Sequence, residues 1–219
     1  MNMLTDLDKP PRGVFVTGTD TEVGKTFFSS KRLRELRAQG LHVGAYKPAA
    51  SGAASIQESD AYQLWSAIGK VQSIDWVNPQ SFAAPLAPPI AAELEGKTID
   101  DQLLVDGVRR WRGHCDFLLV EGAGGLLSPI SWQQTNADIA RRIGYPLWIV
   151  APNRLGVVHQ ILATVSVAIG HGLVVEEVVL NDVIPTSNDR AAQNNERLLM
   201  PFLKRLTPET TFLRNPFQG

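Results

Sequence analysis

The sequence has little cysteine, little net charge and no long apolar run. Cys115 is the single cysteine among 219 residues, which excludes a framework of intrachain disulfides and favours a reducing, cytoplasmic compartment. Because it precedes an apolar stretch, we interpret it as a small core residue rather than a nucleophile. No run of about 18 apolar residues occurs, so we expect no membrane span. A net charge of −1 provides no positive field for nucleic acid or an anionic membrane, and we expect neither as a partner.

Residues 1–12 are polar, contain two adjacent prolines near their end and lack the apolar segment of a signal peptide. We expect a flexible tail over residues 1–12. Residues 13–219 are numerous enough to bury one core, since 44% of the chain is hydrophobic. The predicted organisation is therefore a tail followed by a single domain.

Short apolar segments alternate with helical patterns along the chain. Nearly all-apolar segments of this kind are typical of a parallel sheet that is buried on both faces. Four prolines within residues 78–95 predict a largely irregular segment there. The predicted fold is α/β, with one parallel sheet and helices on both faces. The predicted strands are residues 14–17, 41–46, 117–120, 147–151 and 174–180, and the predicted helices are residues 25–38, 59–68, 99–111, 137–143, 157–169 and 191–206.

A glycine-bounded loop follows the first predicted strand. Residues 18–26 read GTDTEVGKT, and the final Gly-Lys-Thr opens a predicted helix. At such a helix start, backbone N–H groups cradle phosphate, the lysine reaches its oxygens, and the threonine hydroxyl can ligate Mg²⁺. Five residues separate Gly18 from Gly24, one more than in the common form, and Thr19 stands where the first glycine is usual. Because strand, loop, lysine and helix occur in the required order, a P-loop NTPase-type nucleotide site is favoured over a chance match. The residues predicted to bind the nucleotide here are Asp20, Thr21, Glu22, Val23, Gly24, Lys25 and Thr26.

Polar side chains also follow three other predicted strands. Glu121 comes directly after residues 117–120, Lys47 directly after residues 41–46, and Asn181 directly after residues 174–180. The carboxyl ends of parallel strands gather at one edge, where such sheets bind ligands, so we expect these side chains to converge near the phosphate loop. Glu121 is then a candidate to hold or orient Mg²⁺. The alternative is a carboxylate that simply returns to solvent as the strand ends.

Two residues, Asp60 and Lys47, each admit a structural and a functional interpretation. Asp60, with Ser59, could cap a helix, or it could be a second Mg²⁺ carboxylate. Lys47 could be a surface lysine, or a second cation that joins Lys25 in phosphoryl transfer between anions. Of the four histidines, only His159 is placed, in the first turn of a predicted helix, to reach the site.

Three segments of the chain resemble dethiobiotin synthetase. They are residues 15–26 (FVTGTDTEVGKT), 46–52 (YKPAASG) and 120–125 (VEGAGG), and residues 59–60 and 181–183 add to the similarity. The resemblance implies a homodimer that converts 7,8-diaminononanoate, CO₂ and MgATP into dethiobiotin, ADP and phosphate, the penultimate step of biotin biosynthesis. One amine would form a carbamate, the carbamate would accept the γ-phosphoryl group, and the second amine would then close the ring.

The same resemblance implies roles for individual residues. Lys25 would bind the β- and γ-phosphates of ATP, Lys47 would hold the carbamate, and Asn181 would hydrogen-bond the adenine edge. The implied catalytic residues are Lys25, Lys47, Thr21 and Ser51, the implied Mg²⁺ ligands are Thr26, Asp60 and Glu121, and the implied diamine-binding residues are Thr21, Lys47, Ser51, Gly124 and His159.

Several positions depart from the family pattern. His159 stands where the family often has asparagine, and Gln193 where we would expect a tyrosine contributed by the partner subunit. Residues 207–219 lack a clear Gly-x-Ile-Pro segment, which in relatives completes the adenine pocket. These departures concern the substrate carboxylate and the nucleotide base, and they leave the catalytic cations in place.

Other classes of protein share parts of this pattern. A partitioning or positioning ATPase that acts as a dimer switch would share the Gly-Lys-Thr loop, but such proteins usually carry a lysine early in the loop, where this chain has Thr19. An amide-forming ligase of the cobyrinate type would add a glutamine-hydrolysing domain with a nucleophilic cysteine. A GTPase is disfavoured because residues 153–156 (NRLG) do not form an Asn-Lys-x-Asp guanine clamp.

Overall fold

Six parallel strands form the main sheet of the computed structural model, which describes residues 11–217. Its central strands are long and apolar, and the sheet order is β2-β5-β1-β6-β7-β8. A second, two-stranded parallel sheet pairs β3 with β4. The strands are β1 (Arg12–Gly18), β2 (Val43–Tyr46), β3 (Ala50–Ser51), β4 (Ser81–Phe82), β5 (Phe117–Gly125), β6 (Leu147–Pro152), β7 (Val175–Asn181) and β8 (Thr211–Asn215).

Helices connect the strands and pack around the sheet. Every residue of β6 is buried, and because successive side chains point to opposite faces, the sheet must be covered on both. This confirms the predicted P-loop-type α/β fold. The helices are α1 (Lys25–Ala38), α2 (Asp60–Ala67), α3 (Ile74–Val77), α4 (Pro88–Leu94), α5 (Leu103–Asp106), α6 (Asn136–Ile143), α7 (Val157–Gly170) and α8 (Arg190–Leu206), with short 3₁₀ helices at Ile56–Glu58 and Gly107–Trp111.

The structure differs from the sequence prediction in several parts of the chain, among them β3 and α3, which were not predicted. Residues 78–95, predicted as irregular, contain β4 and α4, and α4 tolerates its two prolines because they occupy its first turn, where a missing N–H breaks no helical hydrogen bond. The helix predicted over residues 99–111 is shorter and ends as a 3₁₀ helix. The last strand, β8, was not predicted, although it extends the sheet beside β7.

The predicted tail lies mostly outside the described residues, since residues 1–10 are not among them. The first strand begins two residues earlier than predicted, because Arg12, assigned to the tail, already belongs to β1. The carbonyl of Pro11 accepts a hydrogen bond of 2.8 Å from the Tyr145 hydroxyl. Within residues 11–217, no helix combines the length and the apolar character that crossing a membrane requires.

Candidate active site at the carboxyl edge of the sheet

The phosphate loop joins β1 to α1 through a backbone conformation that favours glycine. Gly24, the residue before α1, has φ of 82°, and a Cβ atom there would lie 2.2 Å from Asn181 Nδ2. Glu22 also has a positive φ, of 55°. Lys25 Nζ lies across the loop and donates to the Asp20 carbonyl at 3.1 Å. The Asp20 carboxylate accepts from the backbone N–H of Thr21 at 2.7 Å.

Lys47 lies at the centre of a cluster of charges beside this loop. Its Nζ is 2.7 Å from Asp60 Oδ2 and 2.8 Å from Glu121 Oε1. The Thr26 hydroxyl donates to the same Glu121 oxygen at 2.7 Å. The Lys47 side chain is only 4% exposed, so the alternative of a surface lysine is wrong. The Glu121 side chain is 0% exposed, so the alternative of a carboxylate that returns to solvent is also wrong.

The backbone around Lys47 is fixed by the segment after α3. The Lys47 N–H donates to the Val77 carbonyl at 2.7 Å, and the Asn78 side chain donates to the Lys47 carbonyl at 2.7 Å. Both Asn78 and Lys47 are buried, so water cannot compete for these hydrogen bonds. The ammonium is therefore held in one place.

The cluster also sets the protonation of its members. Burial lowers the pKa of Lys25 to about 8. The negative charge of Glu121 opposes this shift, and the positive charge of Lys47 adds a smaller lowering. Burial would also lower the pKa of Lys47, but the charges of Glu121 and Asp60 outweigh it and raise that pKa above its ordinary value. The pKa of Asp60 is lowered, because the Lys47 ammonium outweighs the effect of desolvation. Both Lys47 and Asp60 are thus charged at neutral pH.

The oxygens of this cluster fit Mg²⁺. Glu121 Oε2 is fully buried and has no hydrogen-bond partner among the described residues, so it is available to a ligand. The Thr26 hydroxyl and the Asp60 carboxylate lie in the same cluster. Within residues 11–217 there is no group of three or more His, Cys, Asp or Glu side chains arranged for a metal. Mg²⁺ does not need one, because it is usually bound by one or two carboxylates together with substrate phosphates.

The glycine-rich end of β5 lies against the phosphate loop. Gly18 pairs with Gly125, and a Cβ atom on Gly124, whose φ is 74°, would lie 3.6 Å from the Thr21 methyl group. Asn136 fixes this segment, since its side chain donates to the carbonyls of Ala123 and Gly125 at 2.7 and 2.8 Å. Asn136 was not predicted as a site residue, because its place at the start of α6 gave no signal of contact with β5.

Ser51 and Asn181 lie on separate sides of the site. The Ser51 hydroxyl, in β3, donates to the Leu86 carbonyl at 2.6 Å, so its oxygen is left to accept. Asn181, at the end of β7, donates to the Val23 carbonyl at 2.9 Å. It also lines a pocket of about 300 Å³, whose other residues are Glu22, Gly24, Phe27, Asp182, Val183 and Phe217.

Two predicted residues lie apart from these contacts. His159 is exposed on the first turn of α7, and its side chain joins none of the side-chain hydrogen bonds found within residues 11–217. Gln193 is exposed on α8 and donates to the Ser187 carbonyl at 2.5 Å. Asn215, which donates a hydrogen bond to the Asn181 side chain, was not predicted either. Asn215 ends β8 just as Asn181 ends β7, so the rule that singled out Asn181 would have found Asn215 had β8 been predicted.

The chain is similar to known proteins along most of its length. Residues 12–209 match the model of a family described as an AAA domain. The ATP-dependent dethiobiotin synthetase BioD of Rhodopirellula baltica is 40% identical over 199 residues, which cover 84% of this chain and 78% of the relative. The protein of the same name from an Anaeromyxobacter species is 41% identical, with coverage of 84% and 82%. That of Serratia marcescens is 39% identical, with coverage of 77% and 76%.

Solved structures give a more distant likeness. The signal recognition particle receptor FtsY of Elizabethkingia anophelis superposes with a TM-score of 0.53 at 15% identity, covering 94% of this chain and 58% of that one. At this identity the likeness concerns the fold alone. The sequence relatives, by contrast, combine about 40% identity with coverage of most of both chains, so this chain belongs to the dethiobiotin synthetase family.

Proposed function

We propose that this protein is an ATP-dependent dethiobiotin synthetase, a ligase of biotin biosynthesis. It converts 7,8-diaminononanoate, CO₂ and ATP into dethiobiotin, ADP and phosphate. The observation that best supports this is the Lys47 ammonium, buried between Asp60 and Glu121 beside the phosphate loop. A nucleotide-dependent switch has no evident use for a second buried lysine there, whereas a reaction that brings a second anion to the triphosphate does.

The reaction requires two anions to meet. One amine adds to CO₂ and loses a proton, which gives a carbamate. A carbamate oxygen then attacks the γ-phosphorus, and ADP leaves. Finally the neighbouring amine attacks the carbonyl carbon, loses a proton and expels phosphate, which closes the cyclic urea. The second step brings negative charge towards negative charge, so fixed cations lower its barrier.

The two lysines have hydrogens to spare for this step. An ammonium carries three N–H groups. Lys47 uses two of them on Asp60 and Glu121, which leaves one for a carbamate oxygen. Lys25 uses one on the Asp20 carbonyl, which leaves two for the β- and γ-phosphates. We assign phosphate binding to Lys25 and carbamate binding to Lys47.

We assign the Mg²⁺ site to Thr26, Asp60 and Glu121. The free Oε2 of Glu121 supports this assignment. When bound, Mg²⁺ neutralises phosphate charge and holds the triphosphate in place. The protein's own contribution is to keep the Glu121 carboxylate dry and oriented, through its contacts with Thr26 and Lys47.

The diamine is assigned to the side of the cluster formed by Thr21, Ser51 and Gly124. Ser51 Oγ can accept an amine hydrogen, since its own hydrogen is directed at the Leu86 carbonyl. His159 would contact the far end of the diamine.

We also infer a cytoplasmic homodimer. An exposed apolar stripe on α8 supports the dimer, because Leu198, Phe202 and Leu206 recur every four residues on one face. Gln193 lies on the same helix and would reach the partner's pocket. Light scattering on the purified protein would test the dimer, and Phe202→Lys should yield monomers.

The first experiment mixes the protein with MgATP, labelled bicarbonate and 7,8-diaminononanoate. We expect ADP and acid-stable label in equal amounts, both dependent on the diamine. ADP without stable label, or ADP formation that does not need the diamine, would instead favour the switch-type ATPase.

A further inference from the structure

A chain of hydrogen bonds connects α1 to the phosphate loop through the ends of two strands. Lys31 Nζ donates to Asn215 Oδ1 at 2.8 Å, and Asn215 Nδ2 donates to Asn181 Oδ1 at 2.7 Å. Asn181 Nδ2 in turn donates to the Val23 carbonyl at 2.9 Å. Asn181 and Asn215 end neighbouring strands in register, and each is 2% exposed. Water therefore does not replace these partners.

The direction of this chain is fixed at both ends. The Lys31 ammonium can only donate, and the Val23 carbonyl can only accept. Each amide between them consequently has one satisfactory orientation. Turning either amide over would set two oxygens, or two N–H groups, against each other in a buried place, which is costly.

Asn181 retains hydrogen-bonding capacity beyond this chain. Of its two amide hydrogens and two oxygen lone pairs, one of each is used by the contacts found within residues 11–217. The residue lines the pocket of about 300 Å³ beside Gly24 and Phe217. It can therefore offer one donor and one acceptor, in a fixed order, to a flat ligand in that pocket.

We propose that Lys31 and Asn215 are positioning residues that orient the Asn181 amide and so select adenine over guanine. The proposal rests on the proposed function to the extent that the loop binds ATP. Adenine presents a donor and an acceptor side by side at N6 and N7, which an amide matches with two hydrogen bonds. Guanine presents two acceptors at O6 and N7, which an amide held in one orientation cannot match.

Two variants disturb this series of hydrogen bonds at different points. Lys31→Glu places an acceptor opposite the Asn215 oxygen, so Lys31 no longer helps Val23 to fix the orientation of the amides, and Asn215→Asp keeps the contact with Lys31 but cannot donate to Asn181. We expect each variant to bind ATP about tenfold more weakly and GTP with little change, the scale of one lost base contact. Lys31→Met, which removes the fixed direction without burying a charge, should lose less of the preference. The measurement is titration of ATP and GTP separately without diamine, with thermal unfolding to verify folding.

Arg34→Glu is the matched control, because it makes the same change of charge on an exposed position of the same helix. It should leave the ratio of ATP to GTP affinity unchanged. An equal loss of that ratio in Arg34→Glu, or an unchanged ratio in folded Lys31→Glu and Asn215→Asp, would overturn the proposal.

Steady-state kinetics distinguish a positioning role of Lys31 and Asn215 from a general structural role. They also show separately whether the proposed function fails. In Asn215→Asp we expect KM for ATP to rise about tenfold while kcat at saturating ATP stays within about threefold, as for a lost ground-state contact. Equal losses in kcat would overturn the positioning role. If the wild-type protein forms no dethiobiotin, the proposed function fails. The ratios of ATP to GTP affinity in the variants still decide whether the hydrogen bonds from Lys31 to Asn181 select the base.

Discussion

Lys47 and Glu121 face each other because β2 and β5 are paired up to the residues just before them. Tyr46, the last residue of β2, is the register partner of Val120 of β5, so Lys47 lies beside Glu121, the next residue of β5. Their charged atoms meet at 2.8 Å with almost no exposure to solvent. A buried pair of this kind contributes little net stability, since desolvation offsets the attraction. Its value lies in holding an ammonium beside the phosphate loop.

Replacing Glu121 should lower turnover, and also stability, because removing one partner of a buried pair leaves Lys47 with less compensation for its charge. Glu121→Gln removes the charge but keeps a side chain of the same shape, and we expect dethiobiotin formation to fall at least about a hundredfold, the scale of a lost electrostatic group. Glu93→Gln, an exposed position on α4, is the control and should leave turnover unchanged. Phosphate release and far-UV circular dichroism would be measured on both. A folded Glu121→Gln protein with near-normal turnover would remove Glu121 from the site.

A second prediction concerns the close approach of Gly24 to Asn181. In Gly24→Ala the new methyl group would lie 2.2 Å from Asn181 Nδ2, at a φ of 82°. Both the left-handed conformation, which costs about 1–2 kcal/mol for alanine, and the clash act against the folded loop. We expect lower stability and a loss of ATP binding. Gly40→Ala separates the two effects, because Gly40 has φ of 91° but no atom within 4 Å of the new methyl group. Gly40→Ala should lower the free energy of unfolding, measured by urea unfolding, and leave ATP binding, measured by titration, unchanged.

Much of the fold follows from local sequence. Helix α1 was predicted with its observed bounds, because a glycine-led start and a following glycine delimit it. Because the residues that follow parallel strands gather at one edge of the sheet, the sequence predicted that Lys25, Lys47 and Glu121 converge there. In the structure the charges of Glu121 and Lys47 both act on Lys25. Strand β8 was missed because it pairs only with β7, across about 30 residues that include α8. Such pairings depend on tertiary contacts that a local pattern does not contain.

The contacts of individual site residues could be predicted less well from the sequence. Sequence alone left Asp60 as either a helix cap or a metal ligand. The structure shows that Ser59 provides the cap, accepting from the Tyr62 N–H, and that Asp60 contacts Lys47. The chain from Lys31 to Asn181 joins α1, β8 and β7, so no spacing along the sequence could have indicated it.

The thiol of Cys115 should be unreactive in the folded protein. Burial, with a further contribution from the charge of Asp116, raises the pKa of Cys115 from 9.0 to about 12. Three pKa units reduce the reactive thiolate about a thousandfold at pH 8. We expect Ellman's reagent to react slowly with the native protein and quickly with the same protein in urea. Rapid release of one thiol equivalent under native conditions would show that Cys115 is neither half-buried nor shielded.

The last prediction concerns the capping box of α6. Asp138 Oδ2 accepts from the Thr135 backbone N–H at 2.9 Å and from its hydroxyl at 2.7 Å, and these bonds, the backbone one foremost, lower the pKa of Asp138 below 3.8. A lowered carboxyl pKa contributes stability above the unfolded value and loses it as the pH falls through the folded value. Asp138→Ala should therefore lower the free energy of unfolding by about 1 kcal/mol at pH 7, and this difference should shrink once the pH drops below 3.8. Urea unfolding across this range would measure it. Asp75→Ala, which removes an exposed acid from the first turn of α3, is the control and should cost less at pH 7. A difference for Asp138→Ala that stays constant from pH 7 to below 3.8 would contradict a role for the charged carboxylate in the cap.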